Sequence, residues 1–176
     1  TWKDCISTGG GSTRIVKLVP EFAGGTLTAD GSNNSGTLLS DFVSGLAVGQ
    51  GYKHNYYQWS TSQGSAQDYD VVVNVQIPSD YTGGMTTASN FKFWMYDDDG
   101  ASTASQITWS LTDVDGTQCF SDTEDGGTAD QWGEEDASTL GSCSFAANDI
   151  ITFRFRLFST SSQVTRLGEV QFQYTN

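Results

Sequence analysis

The feature that most constrains this chain is an apolar side chain at every second position, repeated in one segment after another. Val71, Val73, Val75 and Ile77 alternate with Val72, Asn74 and Gln76 until Pro78 stops the run. Phe91, Phe93 and Met95 alternate with Lys92, Trp94 and Tyr96, and Ile107, Trp109 and Leu111 with Thr108, Ser110 and Thr112. Ile151, Phe153, Phe155 and Leu157 alternate with Thr152, Arg154 and Arg156, and Val170, Phe172 and Tyr174 with Glu169, Gln171 and Gln173. A period of two sends neighbouring side chains to opposite faces of an extended strand, where a helix would need a period of 3.6. Weaker runs at 14–19, 37–43 and 55–60 bring the expectation to about eight strands. Clusters of Gly, Asn, Asp and Ser lie between them and supply the turn residues that tolerate positive φ. Antiparallel strands with one apolar face each bury those faces best as two packed sheets. The expected fold is therefore all-β, a β-sandwich of jelly-roll-like type, and the lack of a fixed repeat argues against a propeller or solenoid.

Residues 1–12, TWKDCISTGGGS, read as an N-terminal arm and Gly/Ser tether. Residues 13–176 read as one sandwich domain with an acidic loop at 113–143. The chain starts at Thr1, which is expected of an exported product whose signal has been removed, or of a trimmed form. Of three cysteines, Cys119 and Cys143 flank the longest irregular stretch and are expected to pair. Closing a loop of about 25 residues would contribute roughly 3 kcal/mol. Cys5 is then left to pair with another subunit or to stay a buried thiol; in the remaining alternative it takes one of the other two. No C-x-x-C spacing suits zinc or thioredoxin-type chemistry.

A net charge of −13 excludes the basic stripe that nucleic acid requires and gives no attraction to anionic lipid. No apolar run is long enough for a membrane span. Catalytic signatures are equally thin. The one histidine, His54, lies in GYKHNYYQW without a G-x-S-x-G elbow elsewhere. Glycoside hydrolysis needs paired carboxylates across a cleft, and no strand carries a second Glu to match Glu169. Phosphate-cradling glycine loops are absent. The expectation is a protein that is not an enzyme.

Nine acids crowd residues 113–136 with no Lys or Arg among them. Such a density is screened by water, salt or a hard cation. The fragments Asp97-Asp98-Asp99-Gly100 and Asp113-Val114-Asp115-Gly116 have the carboxylates and turn glycine of a calcium loop without its full pattern. Asp97, Asp99, Asp113 and Asp115 are thus the candidate metal ligands, calcium the one cofactor to consider, and a solvated acidic loop the plainer account.

The strand at 91–96 is aromatic on both faces, so Trp94 and Tyr96 must be covered by a loop, a ligand or another subunit. Tyr56, Tyr57 and Trp59 form a second cluster interleaved with Asn and Gln. The first reading is an extracellular structural subunit, on a cell surface or virion, that polymerises with identical copies. It would do so through an arm carrying Trp2, Cys5 and Ile6 together with Trp94 and Tyr96, adding a strand to a neighbour's sheet edge. The alternative is a carbohydrate-binding module, calcium-dependent or not, that stacks glycans on Tyr56, Tyr57, Trp59 and Trp94.

The stretches Leu27–Phe42, Tyr56–Gln63, Gln67–Val73 and Arg166–Val170 resemble a group of secreted all-β proteins of uncultivated microbes. The resemblance implies an exported β domain and carries no site residues. Asn33-Asn34-Ser35 is a glycosylation sequon, so Asn33 is the candidate acceptor. Lys17, on an early strand, is a candidate for an intramolecular isopeptide.

Overall fold

A computed structural model describes residues 11–42, 55–100 and 103–176. The eight runs read from the sequence are all strands: β1 (Thr13–Leu18), β3 (Thr37–Phe42), β4 (Asn55–Ser60), β5 (Gln67–Gln76), β6 (Phe91–Asp97), β7 (Ser105–Thr112), β10 (Ile150–Ser159) and β11 (Val164–Thr175). Three more were not foreseen: β2 (Gly25–Thr28), β8 (Gln118–Glu124) and β9 (Gln131–Asp136). One sheet runs β3-β4-β11-β6-β9, with β1 alongside the second half of β11; the other runs β2-β5-β10-β7-β8. All pairings are antiparallel. The orders 4-11-6-9 and 5-10-7-8 are those of a jelly roll, so β4 to β11 supply its eight strands and β1 to β3 extend it.

The stretch expected as an acidic loop therefore holds two strands, and the expectation is corrected. Both strands are sheet edges. Asp122 and Glu124 of β8 and Glu135 of β9 pair with the inward residues Trp109, Ile107 and Phe93, and inward-pointing charges at an edge resist pairing with another chain, so acids belong there and hide the apolar alternation. Cys119, Phe120 and Trp132 are the buried residues that anchor these strands.

The inward positions meet in one aromatic core. Trp109 packs edge-on to Phe120 at 4.5 Å between centroids, tilts against Phe93 at 4.7 Å and stacks with Phe155 at 6.0 Å. Tyr57 and Trp59 also point inward: the Tyr57 hydroxyl accepts the Phe22 N–H, and Trp59 Nε1 donates to the Gln67 carbonyl at 2.9 Å. Register explains one break in parity. Leu167 pairs with Met95 and Val170 with Phe93, so β11 carries one residue more than β6 between them. That bulge lets Leu167 and Val170 both face the core. Cys119 and Cys143 are bonded, which removes the alternative in which Cys5 takes one of them. Among the described residues no helix is long and apolar enough to cross a membrane.

Candidate functional site

Because β10 is central in its sheet, its outward residues sit in the middle of a wide polar face. Register lines up two rows across five strands. One is Thr28–Asp70–Arg156–Thr108–Thr123, and the next is Thr26–Val72–Arg154–Ser110–Ser121. Phe158 follows Arg156 on the same face, between Asp68 and Gln106. A groove of about 280 Å³ opens here, lined by Thr108, Ser110, Gln118, Ser121, Arg154, Arg156 and Phe158.

The two arginines would repel each other and swing freely if left alone. Asp70, 1% exposed, holds both. Its Oδ2 accepts from Arg154 Nε at 3.1 Å and from Nη2, and its Oδ1 accepts from Arg156 Nε at 3.0 Å. Asp30 accepts from Arg156 Nη2 at 3.0 Å. The hydrogen bond that Arg156 donates to Asp70 raises its guanidinium above the ordinary pKa. Burial raises the neighbouring Asp68 carboxyl, against the pull of Arg156 3.7 Å away. Two guanidinium groups thus face three carboxylates, so the groove offers fixed donors without a net pull on anions. Thr108 and Thr123 share a hydroxyl bond of 2.8 Å. Ser110, Ser121 and Gln118 make no side-chain hydrogen bond among the described residues and are open to a ligand. Pinned N–H donors, hydroxyls that both donate and accept, and one phenyl face can bind a polyhydroxylated ring.

The opposite outer face shows where the sequence-predicted aromatics go. Gln58, Arg166, Tyr96 and Trp132 form a row across four strands. The Arg166 guanidinium lies 4.9 Å from the Tyr56 ring centre and 4.2 Å from that of Tyr96, and its Nε donates to Gln58 Oε1 at 2.7 Å. Trp132 packs on Tyr56 and Tyr96 at 5.9 and 5.7 Å. Its ring leans over Gly168 in the bulge, where a Cβ would come within 2.9 Å. Tyr56 and Trp132 are each only 7% exposed. This cluster satisfies itself and leaves little ring surface for a ligand.

Tyr57 and Trp59 lie inside the sandwich and are withdrawn as ligand contacts, and Tyr56 is buried under Arg166. Trp94 is half-buried beside Glu134 and stays accessible. The arginine face was missed, although the alternation of Phe153, Arg154, Phe155 and Arg156 carried its signal. Trp2, Cys5, Ile6 and His54 lie outside the described residues, so the assembling arm receives no support from them. Lys17 is ion-paired with Glu169 at 2.7 Å, not set against an asparagine. Asn33 is exposed in a turn, as an acceptor must be.

The four candidate metal ligands do not form one site. Asp97 closes β6 and precedes β7, while Asp113 follows β7, so the two pairs sit at opposite ends of an eight-residue strand. Asp113 is a turn anchor: its Oδ1 accepts from Asp115 N and Thr117 N at 3.1 and 2.8 Å, and its Oδ2 from Ser144 N at 3.3 Å. Its nearest potential ligands are Cys119 and Cys143, whose sulfurs are committed to the disulfide. Asp113 and Asp115 are therefore withdrawn. Around Asp97 the carboxylates are less settled. Burial raises the Asp97 carboxyl above its ordinary range, with Asp99 and Asp125 adding to the rise. Glu135 is pushed up to about 7, by burial first and then by the charges of Glu124, Asp125, Asp136 and Asp97.

No protein-family model matches the sequence, and no curated protein sequence matches it. The fold is similar to that of TmCBM61, a structure solved with β-1,4-galactotriose, at 11% identity and a TM-score of 0.44, over 93% of this chain and 88% of that one. It is similar to the family 11 carbohydrate-binding module of the cellulase Lic26A-Cel5E of Clostridium thermocellum, at 9% identity and a TM-score of 0.45, over 93% and 95%. It is also similar to part of tailspike protein 4 of bacteriophage CBA120, at 8% identity and a TM-score of 0.50, over 88% of this chain and 20% of that one. The likeness is one of architecture alone, the β-sandwich.

Proposed function

We propose that this domain is an extracellular carbohydrate-binding module whose ligand, a neutral polysaccharide, lies in the groove across β10, β7 and β8. The observation that carries the reading is the pair of polar rows with Arg154 and Arg156 pinned by Asp70. A sugar offers hydroxyls in fixed directions, and binding is strongest where protein donors need no reordering. Phe158 gives the apolar edge against which a ring can rest. The volume, about 280 Å³, is just below the range of small-molecule pockets (about 300–1,000 Å³), which suits one stretch of a chain passing through an open groove. The disulfide supports an oxidising, extracellular setting.

Affinity electrophoresis through gels containing neutral polysaccharides, followed by calorimetry on the retained class, tests this. Arg154→Ala and Phe158→Ala should each weaken binding at least tenfold with unchanged far-UV circular dichroism. Retardation by no polysaccharide, or binding that survives both variants and is lost on Trp94→Ala, would refute the groove.

A further inference from the structure

The disulfide reaches the groove through a fault in the register of β8. Along β7 and β8, Thr108 faces Thr123, Ser110 faces Ser121 and Leu111 faces Phe120, but Thr112 faces Gln118, so Cys119 has no opposite number on β7. Two consecutive residues, Cys119 and Phe120, are both buried, at 3% and 5% exposure, against the buried Leu111. A strand that alternates regularly cannot do this; one extra residue in a bulge can. The consequence falls on Gln118. Without the extra residue, Cys119 would stand opposite Thr112 on the outer face, and Gln118 would turn inward opposite Asp113. The bulge instead puts Cys119 inside and Gln118 outside, in the lining of the groove.

The segment that follows β9 holds the extra residue in place. Ser138 donates from its N–H and its hydroxyl to the Asp122 carboxylate at 2.9 and 2.7 Å. The Gly141 N–H donates to the Cys119 carbonyl at 2.7 Å, and Cys143 is bonded to Cys119. The Ser144 N–H then donates to Asp113 Oδ2 at 3.3 Å. Cys119 is thus gripped at its carbonyl and at its sulfur. We infer that the Cys119–Cys143 disulfide is a positioning element of the groove: it fixes the bulge, and the bulge sets Gln118 among the groups that face a ligand. The Gln118 carboxamide both donates and accepts, and so adds to the hydroxyls of Ser110 and Ser121. Without the bond, β8 slips by one residue ahead of Phe120, which brings position 119 outward and withdraws the carboxamide. The role of Gln118 as a ligand contact rests on the glycan-binding reading; the link from the bond to the register does not.

Loss of a disulfide lowers stability wherever it lies, so a lower melting temperature does not discriminate. The test is Cys119→Ala combined with Cys143→Ala, with sodium sulfate added to favour the compact state if the protein does not fold without it, read by nuclear magnetic resonance without ligand. The cross-strand Overhauser contacts of Thr112 with Gln118 should weaken and contacts with position 119 should appear, while those of Thr108 with Thr123 and of Ser110 with Ser121 stay as in the parent. On a polysaccharide retained in the gels, Gln118→Ala should weaken binding by roughly two- to tenfold in the parent, as loss of one hydrogen bond does. The double variant should lose the same factor, and adding Gln118→Ala to it should cost nothing further. The proposal is overturned if the Thr112–Gln118 contacts persist at parental strength, or if Gln118→Ala has the same effect with and without the bond. Unfolding of the double variant even in sulfate also overturns it, since the bond would then hold the whole sandwich and not one bulge. Binding to no polysaccharide refutes the groove, and the resonance contacts then decide the register by themselves.

Discussion

Asp70→Asn is the sharpest perturbation of the groove, because one buried carboxylate holds two arginines. Removing one partner of a fully buried ion pair costs about 3–5 kcal/mol, most of it from the charge left stranded. Here the stranded charges are not sealed in: the Arg154 side chain is 46% exposed and that of Arg156 28%. Water can rehydrate both, and Asp30 still holds Arg156. Discounting for that screening leaves about 2 kcal/mol of lost stability. Arg154→Ala removes the more exposed partner and leaves Asp70 paired with Arg156, so it should cost about 1 kcal/mol or less. Urea unfolding followed by tryptophan fluorescence reads both values, with the slope m unchanged. The double variant should show a coupling of about 1 kcal/mol, as expected of groups in one network. Glycan affinity should fall at least tenfold in each single variant, because the guanidinium that is lost or released was positioned by the other. An Asp70→Asn protein that loses less than about 0.5 kcal/mol and keeps its glycan affinity would refute the idea that this carboxylate organises the face.

Other consequences can be checked separately. Reducing the Cys119–Cys143 bond should cost about 3.5 kcal/mol by the loop-closure relation for about 25 residues, read as a lower urea midpoint in reductant. Trp109→Ala, at the meeting point of Phe93, Phe120 and Phe155, should cost about 3–5 kcal/mol or prevent folding, read by calorimetry. Glu135 binds its proton more tightly folded than unfolded, with a folded pKa of about 7 against 4.5. Its contribution to stability is therefore fully present below about pH 4.5 and lost as pH rises through 7, so the melting temperature should fall across that window, and Glu135→Gln should flatten the fall. Gly168→Ala should destabilise the protein and move the Trp132 fluorescence, because the added methyl group meets the ring.

How much of this was legible in the sequence follows from where each residue sits in the sheets. Central strands such as β5, β7 and β10 are buried on one face along their whole length, so Val71, Trp109 and Phe155 fall into strict alternation and declare themselves. Edge strands do not. In β8 and β9 the acids that guard the open edge outnumber the buried anchors Phe120 and Trp132, and a count of charges reads loop. Aromatic content misled for a related reason. Tyr57 and Trp59 alternate with polar residues just as platform residues would, yet a ring beside Asn or Gln in sequence faces away from it in a strand. The proposed binding face was present in the same alternation, at the positions between the phenylalanines of β10. Its meaning needed the register, because Asp70 lies 84 residues from Arg154 and only strand pairing sets them side by side. The bulge in β11 is the case where parity itself held information. Leu167 and Val170 are three apart and both apolar, which a regular strand cannot place on one face. Reading that break as one inserted residue, instead of as the end of a strand, extends β11 back to Val164. It also brings Arg166 beside Tyr96, and so explains why the aromatic face is closed.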